Sequence, residues 1–185
     1  CVGGSLCLIG RPGVLNNIAI TDSYAFHAGG AVCLMEGDYI FENCTIAGSS
    51  SDPNFGTSDG LLLHWNSSVV LNNSIIWNSP IQGREIEIVN GTATLNYCNI
   101  QTGWTGPGSG NFSDDPAFIN GPYGLYHLAN WSTSLDAGSL NAIQTCYPYH
   151  SGLLCMNTLS TEPDLSSDYG VLDLGYHFPL VTPSP

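Results

Sequence analysis

Basic side chains are almost missing from this chain. Its 185 residues hold 2 Lys plus Arg against 15 Asp plus Glu, a formal charge of −13. Nucleic acid and anionic membrane surfaces are held by Lys/Arg clusters that displace counterions, so the composition argues against both as partners. Phosphate-handling sites recruit the same residues and are disfavoured on the same ground. Charged residues of both signs make up 9%, against roughly 25% in an average soluble domain. That scarcity is not the signature of disorder, because 43% of the residues are hydrophobic. No apolar run reaches the ~18 residues of a spanning helix, so no membrane insertion is expected. No Cys-x-x-Cys or Cys/His spacing matches a zinc site, and no nucleophile-elbow motif occurs. No metal or other cofactor is expected.

Turn formers are abundant: 22 Gly, 16 Asn and 32 Ser plus Thr. With the scattered apolar residues they point to an all-β chain rich in turns. Four segments align with one another: Leu15–Ile20, Phe41–Ile46, Leu71–Ile76 and Leu95–Ile100, with starts 26, 30 and 24 residues apart. A short strand precedes each: Leu6–Leu8, Val32–Leu34, Leu61–Leu63 and Ile86–Ile88. Short period-2 strands recurring at about 25 residues are the mark of a β-solenoid. Alternation assigns the inward side chains. These are Leu6, Leu8, Leu15, Ile18 and Ile20, then Val32, Leu34, Phe41, Cys44 and Ile46. The third coil adds Leu61, Leu63, Leu71, Ser74 and Ile76, and the fourth Ile86, Ile88, Leu95, Cys98 and Ile100. Ile20, Ile46, Ile76 and Ile100 should align along the axis. Asn17, Asn43 and Asn73 share one turn, where their amides are expected to stack on one another; Tyr97 breaks that ladder.

Ala28-Gly29-Gly30-Ala31-Val32, followed by Phe41-Glu42-Asn43-Cys44-Thr45-Ile46, resembles the coils of secreted right-handed β-helix proteins of the pectate-lyase-like superfamily. Its Gly-Gly-Ala-Val piece also resembles the repeat of polymorphic outer membrane proteins. Asp115-Pro116-Ala117-Phe118, Tyr126-His127-Leu128, Ser134-Leu135-Asp136-Ala137-Gly138 and Asp173-Leu174-Gly175-Tyr176 are similar to the ending of many such surface proteins. Leu135 departs from it, since that ending prefers Pro after Ser. The resemblance implies a right-handed parallel β-helix of about four to five coils with a loop-rich C-terminal cap. Residues 1–138 then form the helix, 139–180 the disulfide-bearing cap and 181–185 a Pro-rich extended tail.

Seven Cys and six Asn-x-Ser/Thr sequons suit an extracellular, secreted or cell-surface location. Asn66 and Asn90 fall at equivalent turns, and Asn111 and Asn130 in loops, so these four are the candidate glycan carriers. Asn43 lies in the expected amide ladder and should be unmodified. Cys7 and Cys33 are one coil apart at outward positions, about 4.8 Å by the strand spacing, and are expected to pair. Cys146 and Cys155 share one loop-rich segment and should also pair. Cys44 and Cys98 should be buried thiols, and Cys1 is left over to bridge Cys7, Cys33 or another chain.

Catalysis is not expected. Lyases of the resembled superfamily need Arg or Lys beside a uronate, and Arg11 and Arg84 have no acidic cluster near them on aligned strands. Glu42, Glu85 and Glu87 lack the cross-coil partner that a glycosidase pair requires. Asp114-Asp115 belongs to the ending pattern. His127 and His177 also fall within it and read as packing residues. The Asp52/Asn54/Asp59 and Asp164/Asp168 loops match no calcium motif. Trp65 and Trp131 each adjoin a sequon Asn; packing under a loop is the first reading and sugar stacking the second. The first coil, from Leu6, starts without a polar cap and calls for a covering partner, and a chain opening on Cys1 reads as processed or excised. The sequence therefore points to a glycosylated structural or adhesive module, a subunit of a cell-surface fibre built by head-to-tail stacking or of a larger surface protein, whose partners are its own copies or a larger surface assembly. The alternative is a carbohydrate-binding or polysaccharide-degrading β-helix.

Overall fold

The computed structural model describes residues 4–27, 29–55, 58–78, 85–150 and 152–180. Ala28, Arg84, Cys1 and the 181–185 tail lie outside them. The first coil runs through β1 (Leu6–Ile9), β2 (Gly13–Asn16), β3 (Ala19–Thr21) and the short β4 (Tyr24–Ala25). The second has β5 (Val32–Met35), β6 (Asp38–Glu42), β7 (Thr45–Ala47) and β8 (Ser50–Ser51). The third has β9 (Leu61–His64), β10 (Ser67–Asn72) and β11 (Ile75–Trp77). The fourth has β12 (Ile86–Ile88), β13 (Gly91–Asn96) and β14 (Asn99–Ile100), and β15 (Gly108–Ser109) follows.

Strands of successive coils pair in parallel. They build sheets ordered β1-β5-β9-β12, β15-β13-β10-β6-β2 and β14-β11-β7-β3. The four successive strand sets make a parallel β-solenoid of about 3 turns, against the four to five coils expected from the sequence. The deficit arises at the end of the repeat. Past Ile100 the chain adds the two-residue β15 and a single bridge from Phe112 to Asn99, not another full set of strands.

The core is a set of columns. Ile20, Ile46, Ile76 and Ile100 stack in register, as the repeat requires. Leu15, Phe41, Leu71 and Leu95 form a second column. Fully burying each such side chain contributes about 1.5–3 kcal/mol. Ile88 departs from the expected inward set: it is 40% exposed, because among the described residues no strand lies beyond β12 to cover it. A third column, Gly13, Tyr39, Val69 and Ala93, escapes sequence reading because its members share neither size nor hydropathy.

Corners are made by single residues in the left-handed region. Asn17, Asn43, Asn73 and Tyr97 turn the chain between the second and third sheets, at φ of 50–52°. Asn tolerates this conformation through local hydrogen bonding, and Tyr97 is its costlier substitute. Glycine serves a different purpose before the first sheet. A Cβ at Gly4, Gly30 or Gly60 would be driven into the carbonyl oxygen of Gly30, Asp59 or Glu85 respectively.

Beyond the coils, β16 (Phe118–Gly121) and β17 (Gly124–Leu128) form a hairpin. A second hairpin, β18 (Cys146–Tyr149) and β19 (Gly152–Cys155), is closed by the expected Cys146–Cys155 disulfide. β20 (Leu159–Ser160) then pairs antiparallel with β21 (Phe178–Pro179).

The two ends of the stack differ. At the far end Trp104 packs against the core, its Nε1–H donating to the Pro107 carbonyl at 2.9 Å. At the near end β1, β2 and β3 are the outermost strands of their sheets among the described residues. Ile9 and Val14 there are 53% and 62% exposed.

Candidate functional site

The corner asparagines do not form the expected ladder. Each instead holds the C-terminal segment. Asn17 Oδ1 accepts from the His177 N–H at 2.7 Å and its Nδ2 donates to the His177 carbonyl at 2.9 Å. Asn43 Oδ1 accepts from the Tyr147 hydroxyl at 2.6 Å. Asn73 Oδ1 accepts from the Ser139 N–H at 2.9 Å. The Tyr176 N–H also donates to Thr45 Oγ1 at 2.9 Å. A lateral strap thus crosses coils one to three. The polar ladder lies one residue earlier: Asn96 Nδ2 donates to Asn72 Oδ1 at 2.9 Å, and Asn72 Nδ2 to Glu42 Oε1 at 2.6 Å. Desolvation raises the Glu42 carboxyl above its usual range, opposed by the Asn72 bond.

The strap is locked by a buried ionisable cluster that the sequence had divided between packing and a calcium loop. His177 Nε2 meets Asp168 Oδ2 at 2.8 Å, and its Nδ1 faces the Gly175 carbonyl at 3.0 Å. Asp168 Oδ2 also accepts the Asp173 N–H at 3.0 Å. Asp173 Oδ1 accepts the Asp136 N–H at 2.8 Å, and its Oδ2 accepts the Thr161 hydroxyl at 2.5 Å. Burial, then the Asp168 charge, pushes the Asp173 carboxyl up to about 6. His127 is the opposite case. Its Nδ1 faces the Glu162 carbonyl and its Nε2 accepts from the Tyr123 N–H, the pattern of a neutral ring, and burial lowers its pKa. It stacks on Phe178 with centroids 3.8 Å apart.

The sequons separate by environment. Asn66 and Asn90 are exposed at one corner, the Asn66 N–H donating to the Asn90 carbonyl at 3.0 Å. They share a groove with Trp65, Glu36, Gly37 and Asp38. Asn130 is exposed beside Trp131. Asn43 is fully buried. Asn111, taken from sequence as a loop acceptor, is engaged: its Nδ2 donates to the Leu95 carbonyl at 2.7 Å and its Oδ1 accepts the Cys98 N–H at 3.0 Å. Trp65 and Trp131 are 52% and 73% exposed, so packing under a loop is corrected for both. They do not share a groove.

Cys7 and Cys33 are register partners, as expected, but the bridge between them is corrected. Cys7 is disulfide-bonded and Cys33 is a buried thiol. In-register parallel neighbours keep their Cβ atoms near the ~4.8 Å strand spacing, whereas a disulfide needs about 3.5–4.5 Å. Cys44 and Cys98 are buried thiols with Ser74 between them in the column. Each of the three donates to the carbonyl two residues back, Glu42, Asn72 or Asn96. Burial pushes both thiols up to about 12. Iodoacetamide at pH 8 should therefore leave Cys44 and Cys98 unlabelled in the folded chain and label both in urea, read by peptide mass spectrometry.

Several other carboxylates are engaged with neighbouring groups. Glu85 is buried and binds Asn78 through both oxygens, at 2.8 and 3.0 Å. Asp52 and Asp115 each accept the N–H two residues on, and Asp59 accepts from Ser51. Glu87 lies on the edge strand β12. Arg11 is exposed. Among the described residues no three His, Cys, Asp or Glu side chains gather as metal ligands.

Comparison with protein-family models, curated proteins and solved structures returns no match.

Proposed function

We propose that the chain is a non-catalytic, extracellular, glycosylated structural or adhesive module whose copies join through the first-coil edge. The first-coil edge carries this reading. Among the described residues β1, β2 and β3 have no strand on their outer side, and Ile9 and Val14 are exposed there, Val14 beside the β18–β19 hairpin. Such edges template pairing with another chain. Trp104 and β15 cover part of the far end while β12 stays an edge among the described residues, and on that partial difference between the ends an edge-to-edge, two-fold contact is favoured over an open head-to-tail filament. The Gly29–Val32 and Asp115–Phe118 resemblances support a place among secreted pectate-lyase-like surface proteins, beyond the coil itself.

Sedimentation of the chain over a wide concentration range tests this. Dimers are expected, and Val14→Lys should return monomers with an unchanged circular dichroism spectrum. A wild-type monomer at every concentration would refute self-association. Glycopeptide mapping of material from a secreting eukaryotic host should find hexose at Asn66, Asn90 and Asn130, and none at Asn43 or Asn111. Bare peptides at Asn66 and Asn90 together would remove the glycoprotein reading.

Carbohydrate binding is the second reading. The Trp65 groove favours it, combining an exposed indole with the Glu36 and Asp38 carboxylates.

A further inference from the structure

The Trp65 groove has a difficulty as a sugar site: its two amides, Asn66 and Asn90, belong to sequons. A second cleft lacks that conflict. It lies on the strap and is lined by Asn141, Ile143, Asn157, Asp168, Tyr169 and Gly170, enclosing about 200 Å³. That is smaller than the roughly 300–1,000 Å³ of sites for larger ligands, so it has room for one ring and not for a chain.

Its walls are held by backbone. The Ala142 N–H donates to the Gly170 carbonyl at 2.9 Å, and the Leu172 N–H to the Leu140 carbonyl at 2.8 Å. Asn157 sits on the 3-10 turn Met156–Thr158, whose Met156 N–H donates to the Thr145 carbonyl at 2.9 Å. The Cys146–Cys155 bridge is immediately before that turn. Tyr169 is 86% exposed and Ile143 68%. Asp168 is the opposite, with a side chain 1% exposed. His177 and the Asp173 N–H both hold its Oδ2, and among the described residues Oδ1 has no hydrogen-bond partner. The Asn141 side chain makes no capping bond to its own turn.

We propose that this cleft binds a single neutral sugar ring, with Tyr169 as the stacking platform and Asp168, Asn141 and Asn157 as the polar contacts. A pyranose has an apolar C–H face, which an aromatic ring receives, and a rim of hydroxyls that both donate and accept. Asp168 Oδ1 accepts; the two amides accept and donate. An ammonium or guanidinium ligand would leave the amide N–H groups unused. An acidic sugar would meet the fixed Asp168 carboxylate and a chain of charge −13. The site is separate from the first-coil edge and does not depend on copies joining.

Saturation-transfer NMR on the intact chain tests the proposal. The probes are methyl glycosides of neutral hexoses, deoxyhexoses, N-acetylhexosamines and uronic acids. At least one neutral glycoside should bind and the uronic acids should not. Tyr169→Ala should weaken that binding about tenfold or more while leaving thermal unfolding unchanged, because the ring is mostly in solvent. Asn157→Ala should weaken it less. Three results would overturn the proposal: no transfer to any glycoside, binding that survives Tyr169→Ala but is lost in Trp65→Ala, or binding of arginine and choline in place of the glycosides.

Discussion

Asp168→Ala is expected to cost about 3 kcal/mol, the upper range for stripping a buried polar group of its hydrogen-bond partner. His177 has no exposed surface and its Nε2 would lose the partner it has at 2.8 Å. The damage should spread along the strap, since the next backbone bonds of His177 are those to Asn17. Hydrogen exchange should therefore rise first at residues 168–178 and then at Asn17 and Thr45, ahead of the Ile76 and Leu95 columns. Equal acceleration everywhere would mean that the strap is not a distinct unit. Asp173 adds a pH dependence. Its carboxyl is raised from 3.8 to about 6, chiefly by burial, so its folded form favours the proton. The stability it contributes is complete below about pH 3.8 and is lost as pH rises through about 6. Its near neighbours are the Asp168 and His177 charges, the Thr161 hydroxyl and the Asp136 N–H. Asp173→Asn has no such titration. The gap in unfolding free energy between wild type and this variant should therefore change across pH 4–6 and be flat above it.

Gly30→Val is expected to be severely damaging, at more than about 4 kcal/mol. The difficulty is space. A Cβ there would run into the Asp59 carbonyl of the next coil and stand 2.8 Å from the Ser50 carbonyl oxygen of its own, both backbone atoms that cannot swing aside. Gly10→Ala is the control. Its φ is +75° with nothing within 4 Å of the added carbon, so only conformational strain remains, about 1–2 kcal/mol. Urea denaturation of the two variants should rank them in that order, and comparable losses would show that the coil-to-coil approach is looser than the backbone implies.

These expectations come from different depths of the sequence. The isoleucine and leucine columns were legible because one alternation recurs four times at nearly constant spacing. Asn17, Asn43 and Asn73 were legible as a repeated turn but not in direction. A left-handed corner sends the side chain away from the axis, and the residues that meet it, Ser139, Tyr147 and His177, are remote in the chain. The ladder of Glu42, Asn72 and Asn96 was hidden because its members differ in type. Ser74 was recognisable as the equivalent of Cys44 and Cys98, and their common bond to the carbonyl two residues back explains why hydroxyl and thiol interchange there. Asp168 had no motif of its own. The Asp-Leu-Gly-Tyr-His run at 173–177 marked where His177 would be, while its partner arrives from a loop five residues upstream of that run. Asn111 resembled any loop sequon until its amide closed the backbone bond left open at Cys98.

The strap also governs how the molecule would yield to a pull. A bare solenoid is a zipper, each coil held by its two neighbours, and under tension it opens one coil at a time from whichever end is weaker. Here a single crossing thread is tied to three successive coils through Asn17, Thr45 and Asn73. Peeling the first coil requires cutting the thread, and a cut thread also loosens the second and third. Force applied along the axis would accordingly meet one high rupture step in place of a staircase of small ones, the response of a rivet more than of a spring.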